Sequence, residues 1–195
     1  MTNPIKKYIH KDQLQNFPLG FFDGEIIFFH TRTTTEQLEL IDEIKQHQIL
    51  GLDTETRPSF EKGVQNPLAL IQLYYPHKVV LFQVHKYPLP SPIHHILEDP
   101  TFTKIGIGLR DDVRGLRRDH NCEPQGMLDL NQFAKSKNFQ SIGAQKLSAL
   151  VLGIYIDKSK QLSNWERIPL SQEQQIYAAT DAWITYAIYQ KIKDL

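Results

Sequence analysis

Asp53 and Glu55 stand two residues apart at the end of the apolar run Ile49-Leu50-Gly51-Leu52. On an extended chain, side chains i and i+2 point to one face, so the two carboxylates converge on one point. Like charges that close repel unless a cation or a proton lies between them. A second acidic site is Lys104-Ile105-Gly106-Ile107-Gly108-Leu109-Arg110-Asp111-Asp112. Its glycines allow close backbone approach, and its acids fall in the first turn of an expected helix. There the helix dipole alone would account for Asp111. The stretch lacks the third glycine of a dinucleotide fingerprint. The third site is Tyr177-Ala178-Ala179-Thr180-Asp181-Ala182. Tyr177 and Asp181, four apart, share a helical face, and the alanines let that face pack closely. Asp181 is therefore either ion-paired across the interface, to Arg110 or Lys158, or functional.

Asp53, Glu55, Asp112 and Asp181 come from three elements, each beside apolar or small residues. Clustered carboxylates without matching cations require hard divalent ions. Oxygen-only ligands suit Mg2+ or Mn2+ rather than structural zinc. No Cys/His set with zinc spacing accompanies them, since Cys122 is the lone cysteine. Two such ions about 4 Å apart are the usual apparatus of in-line phosphodiester cleavage.

The elements that position these residues can be read from periodicity. Residues 1–24, with scattered Lys and with Pro4 and Pro18, read as a loosely attached arm, and 25–195 as one domain. Strands are expected at Ile26–Phe29, Ile49–Asp53, Leu68–Tyr75, Lys78–Val84 and Thr103–Ile107, with a hairpin at Pro76-His77. A helix capped by Thr33–Thr35 carries Leu38, Ile41 and Ile44 on one face. Further helices are expected at Ile93–Glu98, Asp111–Asp119, Leu128–Lys137 and Lys146–Leu152. A last helix, capped by Ser171, runs to about Lys193. The pattern predicts an α/β fold with a mixed central sheet of about five strands flanked by helices.

Composition narrows the class of protein. The 195 residues, with 22 basic and 22 acidic side chains, 41% apolar and 10% aromatic content, describe a globular chain able to bury a core. The longest apolar runs, Leu68–Leu73 and Val79–Phe82, are far below the ~20 residues of a membrane span. No apolar segment follows Met1, and the single cysteine fits a reducing, cytoplasmic setting. Zero net charge means that a polyanion must be held by a local basic patch or by metal ions.

With its three motifs in order, the chain resembles the 3′–5′ exonucleases of the DEDD superfamily, tyrosine branch, whose fold is ribonuclease H-like. Within that superfamily it is most similar to the exonuclease domain of the Werner syndrome helicase, and next to ribonuclease D. Leu68–Leu73, Leu147–Leu150, Ser163-Asn164-Trp165 and Pro169-Leu170 extend the resemblance, which covers roughly residues 25–192. It implies that Asp53, Glu55 and Asp181 hold a first metal ion, with Asp53 bridging to a second. It implies that Asp112 acts mostly through metal-bound water, with Asp111 its rival for the role, and that Tyr177 orients the attacking water. A sister branch carries histidine where this chain has Ile176. The implied activity releases nucleoside 5′-monophosphates from nucleic-acid 3′ ends, with two Mg2+ or Mn2+ ions.

For the strand itself, Arg57 and Phe60 follow the first acids and are placed to meet a terminal nucleotide. Lys158, Lys160 and Arg167 lie in the loop before the last helix and can meet phosphates, and Trp165 can stack on a base or pack in the core. Arg110, Arg114, Arg117 and Arg118 form a basic helix face that reads first as solvated. The adjacent His94 and His95 read as surface residues. Lack of the extra helical domains of ribonuclease D tilts the expected substrate toward DNA. The alternatives are a ribonuclease D-like RNA-trimming enzyme and a non-catalytic nucleic-acid-binding module, and a protein partner is compatible with either.

Overall fold

The computed structural model describes residues 5–29, 35–61 and 63–195. The expected Thr33–Thr35 cap and the side chain of Leu38 lie outside the described features. The elements in chain order are β1 (Glu25–Phe29), α1 (Thr35–Lys45), β2 (Ile49–Thr56), β3 (Leu68–Tyr75), β4 (Lys78–Phe82), α2 (Ser91–Glu98), β5 (Thr103–Gly106), α3 (Arg110–His120), β6 (Met127–Asp129), α4 (Leu130–Ser136), α5 (Ala144–Leu147) and α6 (Gln172–Ile192). A five-residue π-helical segment, Ser148–Leu152, continues α5.

The six strands form one mixed sheet in the order β1-β4-β3-β2-β5-β6. β2, β3 and β4 pair antiparallel, while β1 runs parallel to β4 and β5 parallel to both β2 and β6. All eight residues of β3 are buried, which requires cover on both faces. On one face Leu50, Leu52, Ile71 and Leu73 pack with Ile41 and Ile44 of α1, Ile93 and Ile96 of α2 and Leu116 of α3. On the other, Leu70, Val79 and Leu81 pack with Ala178, Ala179 and Ala182 of α6, and Ile105 packs with Ile184 and Ile188.

Two expectations are corrected. The sheet has a sixth strand, β6, where the sequence pattern reads as the start of a helix. Three residues beside β5 are too few to show alternation, and Asp129 ends the strand by capping α4 through Asn131 and Gln132 N–H. Residues 5–24 of the N-terminal segment are not loosely attached. Ile9, Leu14 and Phe22 are buried, and Lys11–Asn16 form a 3-10 helix. Phe22 N–H donates to Thr180 Oγ1 of α6 at 3.0 Å. The apolar spacing of this segment is too irregular to announce a packed face. No helix among the described residues is long and apolar enough to cross a membrane.

Candidate active site

The cavity at the C-terminal end of β2 is made by a close approach of β2 and α6. Gly51 shares a strand face with Asp53 and Glu55, and a Cβ there would meet Ala182 O at 2.2 Å. Only glycine lets the helix lie this close to the strand, which draws Asp181 down onto the two strand carboxylates. Asp53, Glu55 and Asp181 each offer an oxygen within 4.8 Å of the others. Ser171 and Gln174 close a capping box that fixes where α6 begins, and so which residues face the sheet.

Asp112 enters from the other side. Gly108, with φ +75°, turns the chain after β5, and Asp129 Oδ2 accepts the N–H of Leu109 at 3.1 Å. Asp112 then accepts a hydrogen bond from Thr54 Oγ1 and lines the cavity. Asp111 points away, 85% exposed, in an ion pair with Arg114. The cavity, about 310 Å3, is lined also by Ile107, Ala144, Lys158, Gln161, Tyr177, Ile184 and Thr185.

Burial and mutual repulsion raise every carboxyl in it. Asp53 is held well above the usual range by burial, then by Asp181 and Asp112. Glu55 is pushed up to about 10 by burial, then by Asp53 and Asp181. Asp112 and Asp181 are raised chiefly by burial. A group of acids this hard to ionise together is a site short of positive charge, with oxygen donors alone. Among the described residues the cation that lines the cavity is Lys158, whose Nζ donates to both oxygens of Asp181 at 2.7 Å. An ammonium lodged in the group marks where positive charge is accommodated, and the donor set fits Mg2+ or Mn2+.

Tyr177 reaches the same cavity from one turn before Asp181, and both side chains line it. Its hydroxyl is pushed above its ordinary value by burial and by Asp181 and Glu55, so it stays protonated. Its ring packs against Trp165, centroids 5.6 Å apart, and Lys158 Nζ lies 5.1 Å above it.

The structure separates the remaining candidates. Trp165 is fully buried behind Tyr177, so stacking on a base is corrected to support of the tyrosine. Phe60 is 88% exposed on the loop after β2, and Arg57 pairs with Glu166 at 3.2 Å; neither lines the cavity. Arg114, Arg117 and Arg118 pair with Asp111, Glu123 and Asp119, in keeping with a solvated face. Thr54, Gln161 and Asp129 escaped the sequence reading. For Asp129 alone there was a signal, an aspartate at the start of a helix.

Comparison with known proteins gives a consistent setting. Residues 29–195 match the family model described as 3′–5′ exonuclease. A 3′–5′ exonuclease of Arabidopsis thaliana is 31% identical over 93% of this chain and 68% of its own length. The bifunctional 3′–5′ exonuclease/ATP-dependent helicase WRN of Mus musculus is 30% identical over 97% of this chain, which spans 14% of that protein. Among solved structures, Escherichia coli RNase D, an exoribonuclease involved in structured RNA processing, superposes with a TM-score of 0.74. It is 25% identical over 88% of this chain and 44% of that one.

Proposed function

Because the chain belongs to the 3′–5′ exonuclease family, we propose that its carboxylate cavity removes nucleotides one at a time from nucleic-acid 3′ ends, with divalent ions bound by Asp53, Glu55, Asp181 and Asp112. The chain is a hydrolytic exonuclease with a ribonuclease H-like fold. The observation that carries the site assignment is the group of three acids with oxygens within 4.8 Å of one another. Bound ions would lower the pKa of a water and stabilise the departing 3′ oxygen.

The chain's own groups have complementary tasks. Asp53, Glu55 and Asp181 hold positive charge at the floor of the cavity, and Asp112, steadied by Thr54, holds it at the wall. Tyr177, protonated, donates a hydrogen bond and fixes the orientation of the attacking water rather than taking its proton. Trp165 and Ala178 hold the tyrosine ring in place. Lys158, once a metal takes its place on Asp181, is free to meet a phosphate of the strand.

The substrate we favour is DNA. The likeness to the exonuclease/helicase WRN covers 97% of the chain at 30% identity, and that to a ribonuclease D covers 88% at 28%, so the preference rests on the longer coverage. From the lone cysteine of the sequence, Cys122, the setting we propose is reducing and cytoplasmic. The test is a gel assay with 5′-labelled single-stranded and recessed DNA and matched RNA, in Mn2+, Mg2+ or EDTA. A metal-dependent ladder, shortest-lived on DNA, is the expected result. A ladder on RNA alone would replace DNA with RNA, and no ladder on any substrate would leave a binding module.

A further inference from the structure

On the α1–α3 face, away from the carboxylate cavity, the end of α2 meets the loop that follows α3. His94 and Glu98 stand four apart on α2 and so share one side of it. His94 Nδ1 lies 3.2 Å from Glu98 Oε2. Cys122 is fully buried beneath them, and one donor atom from each of the three lies within 4.8 Å of the others. We propose that His94, Glu98 and Cys122 form a second metal site, selective for zinc and separate from the catalytic centre.

The chemistry of the donors distinguishes the two sites. A thiolate, an imidazole and a carboxylate suit a borderline-soft ion, whereas the oxygen-only cavity suits Mg2+ or Mn2+. Tetrahedral zinc with nitrogen and oxygen ligands sets them about 3.4 Å apart, close to the spacing of His94 and Glu98. The donors are also held in advance. Glu98 Oε1 accepts the N–H of Glu123 at 2.8 Å, which leaves Oε2 turned toward His94. The loop is fastened to both helices, by Gln125 N–H to Leu97 O at 3.0 Å and by Cys122 N–H to Leu116 O at 3.3 Å.

His94 and Glu98 are partly exposed, 27% and 33%, so an ion can enter from their side. Binding would release the Cys122 proton to solvent, and thiolate and carboxylate together would balance the two charges of zinc. The ion would tie α2 to the loop leading into β6. The separation of 28 positions between His94 and Cys122 is why no zinc spacing shows in the sequence.

Cobalt(II) is the probe, because only a thiolate-bound ion gives a sulfur-to-cobalt charge-transfer band in the near ultraviolet. Titration of the whole chain is expected to raise that band to saturation at one equivalent, and Zn2+ to erase it. Cys122→Ser should abolish the band. His94→Ala, a change at a partly exposed helix position, should weaken cobalt binding at least about tenfold. Ions bound in the carboxylate cavity give no such band. Absence of the band in the wild-type protein, or a band of undiminished affinity in His94→Ala, would overturn the proposal.

Discussion

Lys158 Nζ lies 2.7 Å from both carboxylate oxygens of Asp181, among three acids that repel one another. The lysine is the cation that lets the group close in the absence of a metal. It is also a competitor, because a divalent ion bound to Asp181 must displace it.

Replacing Lys158 with methionine is therefore expected to act in opposite directions on the two states. The metal-free protein should lose about 1–2 kcal/mol, since a mostly buried carboxylate loses its partner while the lysine's partial exposure moderates the effect. Mn2+ affinity should rise about tenfold, since the ion no longer has to evict an ammonium. Denaturation in EDTA and calorimetric titration with Mn2+ measure the two. Unchanged or weaker Mn2+ binding would show that the lysine does not compete.

The converse change removes the repulsion itself. Asp53→Asn combined with Glu55→Gln should raise the melting temperature of the metal-free protein and abolish stabilisation by Mn2+. In the wild type, Mn2+ at about a hundred times its Kd should add about 2.7 kcal/mol, or roughly 5–10 °C for a chain of this size. Equal Mn2+ shifts in both proteins would mean that the acids do not form the site.

The raised carboxyls also set a pH dependence. A group whose pKa is higher in the folded chain supplies stability in full below its unfolded value and loses it as pH rises through its folded value. For Glu55 that window runs from the ordinary 4.5 up to about 10. Without metal, wild-type stability should fall relative to the Asp53→Asn/Glu55→Gln variant as pH is raised from about 5 to about 9. His120 and Lys104, both held below their ordinary values chiefly by burial, act in the opposite sense but equally in both proteins. The difference between the two melting curves is the readout, and saturating Mn2+ should flatten it.

Tyr177→Phe separates orientation from binding. The ring and its packing on Trp165 are kept, and only the hydroxyl is lost. Activity should drop about 100-fold in kcat with little change in KM or Mn2+ affinity. Single-turnover rates together with a Mn2+ titration make the distinction.

How much of this was legible in the sequence differs by element. Asp53 and Glu55 could be placed together because strand alternation has a fixed period of two, and Tyr177 and Asp181 because a helix repeats near four. The choice between Asp111 and Asp112 could not be made, since it depends on the helical phase set by Gly108 and by the grip of Asp129 on Leu109. The burial of Trp165 and the lodging of Lys158 on Asp181 depend on the path of an irregular loop, which has no period to read. β6 was too short to signal itself, and the N-terminal segment packs through scattered side chains rather than a continuous stripe.

These four acids and Tyr177 are proposed to hydrolyse the last phosphodiester at a 3′ end. The most direct measurement is product analysis with a 3′-terminally labelled oligonucleotide, in Mn2+ and in EDTA, for the wild type and for Asp181→Asn. The labelled nucleoside 5′-monophosphate is expected as the first product, formed only with metal and reduced at least about 1,000-fold by the substitution. Release of label as an oligonucleotide, or release that survives EDTA or the loss of Asp181, would contradict it.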